Sequence, residues 1–205
     1  MSLLALWMSV AVAAERPAHP TAANLLGGSE VEHWDAAVSA GFPWLSARAQ
    51  VGLPGGWTPL VEVQSALATR WQPAAGVGLR WVDRRWRVTG EALAGWLFQS
   101  GVLARKGPSA ELRIKAGRAV GVLQPYAHAG TRHTLLWTKT TVDTVAGAEV
   151  SWQAGHEWTL TGGLGLGIAA GPSWGLDLGL DLPWVGVPTV SIPGVHLGAQ
   201  FGGGR

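Results

Sequence analysis

Apolar and polar residues alternate with a period of two along most of this chain. In segment 43–53 one set of positions is polar and the other is apolar, namely Leu45, Ala47, Ala49, Val51 and Leu53. Because successive side chains of a strand point to opposite faces, the segment is predicted to be a strand with one apolar face. No stretch has 18 consecutive apolar residues, which excludes a spanning helix.

The alternation recurs to the end of the chain and predicts ten strands joined mostly by short turns. They are placed at 43–53, 57–70, 73–83, 85–99, 108–117, 121–138, 141–153, 156–169, 173–182 and 193–201. Turn residues separate them, as at Pro54-Gly55-Gly56 and Gln153-Ala154-Gly155. The predicted fold is all-β, an antiparallel up-and-down barrel of ten strands, with eight strands as the alternative.

Tryptophan marks the ends of these segments. The chain has 13 Trp, against one Tyr and three Phe, and most of the Trp share the apolar parity. One belt is predicted from Trp57, Trp81, Trp86, Trp152, Trp158 and Trp184, and a second from Trp44, Trp71, Trp96, Trp137 and Trp174. Indole rings prefer the membrane–water boundary, so two belts predict a transmembrane barrel. The alternative is a soluble barrel with its apolar face turned inward, whose small lumen would have to hold these rings.

Composition supports the all-β fold and narrows the partners. The chain contains 30 Gly and 12 Pro, with 14% charged residues and no Cys, so no disulfide can form. Residues 41–205 carry 14 Lys and Arg against nine Asp and Glu, a net charge of +5. Because these cations are spread through alternating strands and are not clustered, no nucleic-acid partner is expected.

The N-terminal region predicts export. Residues 1–14 contain a short apolar run that ends in small residues, which is typical of a secretory signal peptide; a buried N-terminal helix is the alternative. Residues 15–40 are predicted to be a periplasmic lead-in, followed by the barrel over 41–205. Ser29 and Glu32 have the spacing of a capping box, which predicts a short helix over 29–39.

The lead-in also carries its own charge. Residues 15–40 have a net charge of −3, opposite in sign to the barrel region. One hypothesis is that the helix, with Glu30, Glu32 and Asp35, plugs the periplasmic mouth while Trp34 packs against the wall. The alternative is a mobile leader.

The polar parity predicts a lumen filled with long polar side chains. Among them are Arg48, Glu62, Glu91, Glu111, Arg113, Lys115, Tyr126, His128, Arg132, Asp177, Asp181 and His196. Buried charges of both signs are expected to pair with each other or with trapped water. Inward glycines are expected to make room for the long side chains or for a narrow water path. These residues therefore predict a structural or narrow-pore role, with no catalytic residue, metal site or cofactor assigned.

A hydrolase is the competing hypothesis. His128, Glu149 and Ser151 lie on two predicted neighbouring strands, so they are candidates for a base, an orienting group and a nucleophile acting on lipid or peptide. The sequence has no Gly-x-Ser-x-Gly and no His-Glu-x-x-His motif. An enzyme is therefore the less favoured interpretation.

The last predicted strand, 193–201, has an apolar face that ends in an aromatic residue. Val195, Leu197, Ala199 and Phe201 share one face, and this resembles the C-terminal strand of small bacterial outer-membrane β-barrels. The residues from Gly202 to Arg205 depart from that pattern, because they follow the terminal aromatic. The resemblance covers most of 43–201 and is to a broad class. It implies an outer-membrane location, with outer-membrane lipid and the barrel-assembly machinery as partners, and it defines no oligomeric state.

Overall fold

Ten antiparallel strands close into one barrel. The computed structural model describes residues 33–42, 44–66, 69–83, 86–101, 104–144, 147–171, 173–184 and 194–204. Each strand pairs with its neighbours in sequence, and the first pairs with the last. The strands are β1 (His33–Phe42), β2 (Trp44–Val51), β3 (Trp57–Ala66), β4 (Arg70–Asp83), β5 (Trp86–Gln99), β6 (Arg105–Arg118), β7 (Leu123–Thr144), β8 (Gly147–Ala169), β9 (Trp174–Trp184) and β10 (Gly194–Gly204). The predicted ten-stranded barrel is confirmed.

A tight turn joins β2 to β3 where the sequence predicts one. Pro54–Gly56 forms a single 3₁₀ turn, in which Gly55 has φ 78° and Gly56 has φ 81°. Only glycine adopts these values without strain. Within the described segments, no helix has the length and apolar character needed to cross a bilayer.

The first strand occupies a segment for which the sequence predicts a helix. Residues 33–39 belong to β1, which pairs with β2 on one edge and with β10 on the other. The helix prediction over these residues is wrong, because pairing on both edges outweighs a local capping signal. The barrel therefore begins at His33, inside the predicted lead-in. The predicted signal peptide, residues 1–14, lies outside the described residues.

The plug hypothesis is also wrong for Trp34 and Asp35, the two of its residues that the structure describes. Trp34 and Asp35 are both part of the barrel wall, on opposite faces of β1. Trp34 is 51% exposed on the outside, while Asp35 is 2% exposed and accepts a hydrogen bond from Gln50. Glu30 and Glu32 lie outside the described residues.

The middle of the chain forms fewer and longer strands than the sequence predicts. Three predicted strands between residues 121 and 169 are in fact two long ones, β7 with 22 residues and β8 with 23. The predicted turn at Gln153-Ala154-Gly155 is wrong, since Gly155 pairs with Leu136 within the sheet. The alternation runs unbroken through Trp152, His156 and Trp158, and this parity argues against a turn. The strand number is right because one strand is gained at the start and one is lost here.

The long strands form a hairpin that extends past its neighbours. The described pairing of β8 with β9 starts at Leu160, so β7 is the only described partner of residues 147–159. The described register between β6 and β7 likewise ends at Thr138. Residues 139–144 and 147–159 are called the hairpin extension below.

The Trp residues lie at two ends of the wall, and four of them lie at the end opposite to the predicted one. The terminal end, where β1 begins and β10 ends, carries Trp34, Trp57, Trp81, Trp86 and Trp174. The hairpin end, on the opposite side, carries Trp44, Trp71, Trp96, Trp137, Trp152, Trp158 and Trp184. Two belts exist as predicted, but Trp152, Trp158, Trp174 and Trp184 exchange ends because the middle of the chain holds one strand fewer.

Apolar side chains cover the outer face between the belts. Exposed positions include Val61, Leu112, Leu164, Leu178 and Leu197, each at least 50% exposed, while the alternate positions are largely polar and point inward. This orientation excludes the soluble barrel with an apolar interior. A closed wall with an apolar exterior is the form in which strands cross hydrocarbon, because no backbone group is left at an edge.

An arginine at mid-wall tests this orientation. Leu112 is 60% exposed near the centre of β6, and Val122 is 53% exposed in the turn at the terminal end. We expect Leu112→Arg to lower the free energy of unfolding in vesicles by about 2–4 kcal/mol and Val122→Arg by about 0–1 kcal/mol. Urea unfolding followed by Trp fluorescence measures both. Equal losses for the two variants would contradict a lipid-facing mid-wall.

Candidate functional site in the barrel lumen

Six charged side chains meet inside the barrel, at inward positions of five strands. This central clamp consists of Arg48 on β2, Glu62 on β3, Glu91 on β5, Glu111 and Arg113 on β6, and Arg132 on β7. Three guanidinium groups face three carboxylates, so the formal charges balance. The three Glu side chains are each 6% exposed and the three Arg side chains 10–21%, so the clamp lies largely out of water.

Two of the clamp contacts run between strands that are not neighbours. Arg48 donates two hydrogen bonds to Glu91, at 2.9 Å and 2.6 Å, although two strands separate β2 from β5. Arg113 Nη1 on β6 lies 2.6 Å from Glu62 on β3, and two strands again separate the pair. These bridges therefore cross the lumen and do not follow the wall.

Neighbouring contacts complete the network. Arg113 Nε donates to Glu111 at 2.6 Å, and Arg132 Nε donates to the other oxygen of Glu111 at 2.8 Å. Arg132 also donates to the amide oxygens of Gln64 and Gln72, each at 2.8 Å. Charged groups out of water are tolerated when their hydrogen bonds are satisfied. Here the side-chain amide oxygens accept from the Arg132 N–H groups that do not donate to a carboxylate. The predicted pairing of lumen charges is confirmed.

A second cluster lies on the other side of the lumen. The aromatic–carboxylate cluster comprises Tyr126 and His128 on β7, Asp177 and Asp181 on β9, and His196 on β10. Tyr126 donates its hydroxyl to Asp177 at 2.8 Å, and His196 Nδ1 lies 2.8 Å from Asp181. His128 Nε2 approaches the other oxygen of Asp181 at 2.9 Å. Tyrosine, histidines and aspartates thus form one connected set.

Glycines form the floor on which these rings lie. His128 pairs directly with Gly163, Tyr126 with Gly165, and His196 with Gly179. A Cβ on any of these glycines would overlap the paired ring. The prediction that inward glycines make room for long side chains is confirmed, and the cross-strand register gives the reason.

The hairpin-end mouth has its own ion pairs. Glu157 on β8 lies 3.6 Å from Arg70 and 3.7 Å from Arg105. Sequence reasoning missed Glu157 and Arg105, as well as Asp35 and Gln72. Arg105 fell in a predicted loop, Gln72 in a predicted turn and Asp35 in the predicted helix. Inward parity on the correctly bounded strands would have identified all four.

The candidate hydrolase site is not assembled. His128 pairs with Gly163, whereas Glu149 pairs with Val142 and Ser151 with Thr140. Glu149 therefore lies about 45 Å along the hairpin from His128. Glu149 and Ser151 are exposed on the hairpin extension, so the three residues form no catalytic group. Among the residues that the structure describes, no three His, Asp or Glu side chains are arranged to hold a metal ion.

Several solved structures with similar folds are bacterial outer-membrane β-barrel proteins. The N-terminal β-barrel domain of Pseudomonas aeruginosa OprF is 14% identical, with 83% of this chain and 95% of that chain covered and a TM-score of 0.40. Ail, the attachment invasion locus protein of Yersinia pestis, is 14% identical, with 84% and 99% covered and a TM-score of 0.41. Neisserial surface protein A is 15% identical, with 87% and 99% covered and a TM-score of 0.36.

No protein-family model and no curated protein sequence matches the chain. The features of this chain that bear on function are the chemistry of its wall and of its lumen.

The glycine floor generates a testable prediction. We expect Gly165→Val to displace the Tyr126 ring and to lower the free energy of unfolding by about 1–3 kcal/mol, as overpacking does. Tyr126→Ala in the same chain should recover much of the loss, because it removes the overlapping ring. Gly155→Val is the control, since a Cβ at Gly155 meets nothing within 4 Å. Urea unfolding measures all three, and a loss that Tyr126→Ala leaves unchanged would contradict the packing role.

Proposed function

We propose that this chain is a bacterial outer-membrane barrel with a structural or narrow-pore role and a lumen held shut to large solutes by the central clamp. The observation that carries the proposal is the pair of bridges that cross the lumen, Arg48 to Glu91 and Arg113 to Glu62. A barrel of this size encloses little more than its own side chains. Bridges that cross such an interior leave at most a narrow water path.

The location follows from the wall. An apolar exterior bounded by two Trp belts fits a bilayer, and bilayer-spanning barrels of this kind belong to outer membranes. Both chain termini then lie on the periplasmic side, as in other barrels with an even number of strands. The face that ends in Phe201 remains the predicted contact of the barrel-assembly machinery.

Fractionation tests the location. We expect the protein to be recovered with outer membranes, and to migrate differently in a detergent gel before and after boiling, because the closed sheet resists detergent until it is heated. Recovery as a soluble monomer in a periplasmic extract would overturn the proposal.

Planar-bilayer recording tests the clamp. The intact protein should give small, weakly selective conductance. Arg113→Ala and Glu62→Ala break the same bridge but leave opposite net charges, −1 and +1, in a lumen shielded from bulk water. We therefore expect both to raise conductance several-fold over the intact protein, the first with cation preference and the second with anion preference. The sign of the reversal potential in a salt gradient distinguishes them.

Three controls accompany that experiment. His156→Gln alters the exposed hairpin extension and should leave conductance as it is. Removing one member of a buried pair is strongly destabilising, so each variant must first show the heat-dependent gel shift of a folded barrel. The double variant Arg113→Ala/Glu62→Ala restores neutrality and should conduct with little selectivity. Folded single variants with unchanged conductance, or with the same selectivity as each other, would refute the clamp as the barrier.

A further inference from the structure

Ionised side chains are rare on the outer face of the wall, and those that the structure describes there are all basic. They are Lys106, Arg118 and Lys139. No carboxylate is among the described outward side chains; Asp83 and Asp143 stand at outward positions, with side chains outside the described set. The charge of the described outward side chains is therefore positive.

Two of these three cations lie side by side at the hairpin end. Lys106 on β6 pairs directly with Trp137 on β7, and the backbone N–H of Lys139 donates to Ala104 at 2.9 Å. The two lysines are thus diagonal neighbours on one face of adjacent strands, a spacing of about 7–8 Å. Both side chains are exposed.

An indole ring joins the two lysines. Lys106 Nζ lies 4.6 Å from the centre of the Trp152 ring, and Trp152 pairs directly with Lys139. Cation–π contact orients the first ammonium beside the second. Lys106, Lys139, Trp137 and Trp152 are called the Lys–Trp patch.

The patch lies at the level where a lipid head group would be. The Trp137 ring stacks on Trp96, with ring centres 6.2 Å apart, and both belong to the belt at the hairpin end. Such belts mark the boundary between hydrocarbon and head groups, and lysine stems extend from the apolar surface to place the ammonium in the polar layer. Two adjacent like charges repel each other, so an anion between them is stabilising.

We propose that the Lys–Trp patch binds the phosphate groups of a lipid head group in the leaflet at the hairpin end. The inference rests on the proposed function, which places the termini in the periplasm and hence the hairpin end in the outer leaflet. The occupant is then a phosphorylated glycolipid, with phosphate between the two ammonium groups and acyl chains against the apolar wall below Trp96 and Trp137.

Lipid binding to the purified, folded protein tests this inference. Lipid A, a bis-phosphorylated glycolipid, is titrated into the protein in neutral detergent, and retained lipid is measured by native mass spectrometry. We expect Lys106→Gln/Lys139→Gln to bind about thirtyfold more weakly than the intact protein. Each basic residue near a phosphate layer contributes about 1 kcal/mol of attraction, and the loss of two such contributions corresponds to about thirtyfold in affinity. Lys106→Arg/Lys139→Arg should retain binding, and so should Arg118→Gln, which removes the outward cation at the opposite end.

The lipid is varied to identify the group that is recognised. Lipid A stripped of both phosphates should bind the intact protein as weakly as lipid A binds the double Gln variant. Equal binding of lipid A to the intact and double Gln proteins, or equal binding of the two forms of lipid A, would overturn the inference. Phosphatidylglycerol binding as tightly as lipid A would overturn the assignment to a glycolipid.

Failure of this inference is distinguishable from failure of the proposed function. A protein that shows the heat-dependent gel shift and fractionates with outer membrane, yet does not discriminate among these lipids, retains the proposed function and loses only the lipid site. A protein found soluble in the periplasm loses both.

Discussion

Hydrogen bonding of the backbone is the constraint on which the rest of this structure depends. Hydrocarbon supplies no partner for an N–H or C=O group, so a sheet that crosses it must close. Closure here depends on β1, which pairs with β10 along its whole length. The pairing runs from His33 opposite Gly204 to Phe42 opposite Val195. The glycines that follow Phe201 therefore belong to the last strand, where Gly203 accommodates the ring of Trp34.

Closure in turn dictates the chemistry of the lumen. Because the apolar parity faces outward, most polar residues of the wall share a small interior with polar residues from the opposite strands. The barrel resolves this crowding in two ways: arginine and glutamate bridge the lumen on one side, and rings lie flat over glycines on the other. Tyr126 over Gly165 and Arg48 on Glu91 are examples of the two solutions.

Alternation alone predicted most of the side chains that face the lumen, because parity along one strand survives errors in the placement of its ends. It predicted Glu62, Glu91 and Arg113 at inward positions, and it did so without knowing which strand lies opposite which. The bridging partners could not be predicted from the sequence, since Arg48 and Glu91 are 43 residues apart and meet only when the barrel closes. The errors came from local signals. A capping box suggested a helix in β1, and a small-residue cluster around Gly155 suggested a turn in β8; pairing with neighbouring strands overrode both signals.

The hairpin extension has a consequence for how the molecule opens. In the part of the chain that the structure describes, residues 147–159 pair with β7 alone, and the residues from Gly147 to His156 are exposed on both faces. An isolated two-stranded ribbon is marginally stable in water, whereas a strand of the closed wall is held on both edges. Amide hydrogens of the extension should therefore exchange with solvent by local fraying, while those of the wall exchange only when the whole cylinder opens. One pair of strands thus belongs to two cooperative units, a rigid base in the wall and an adaptable tip beyond it.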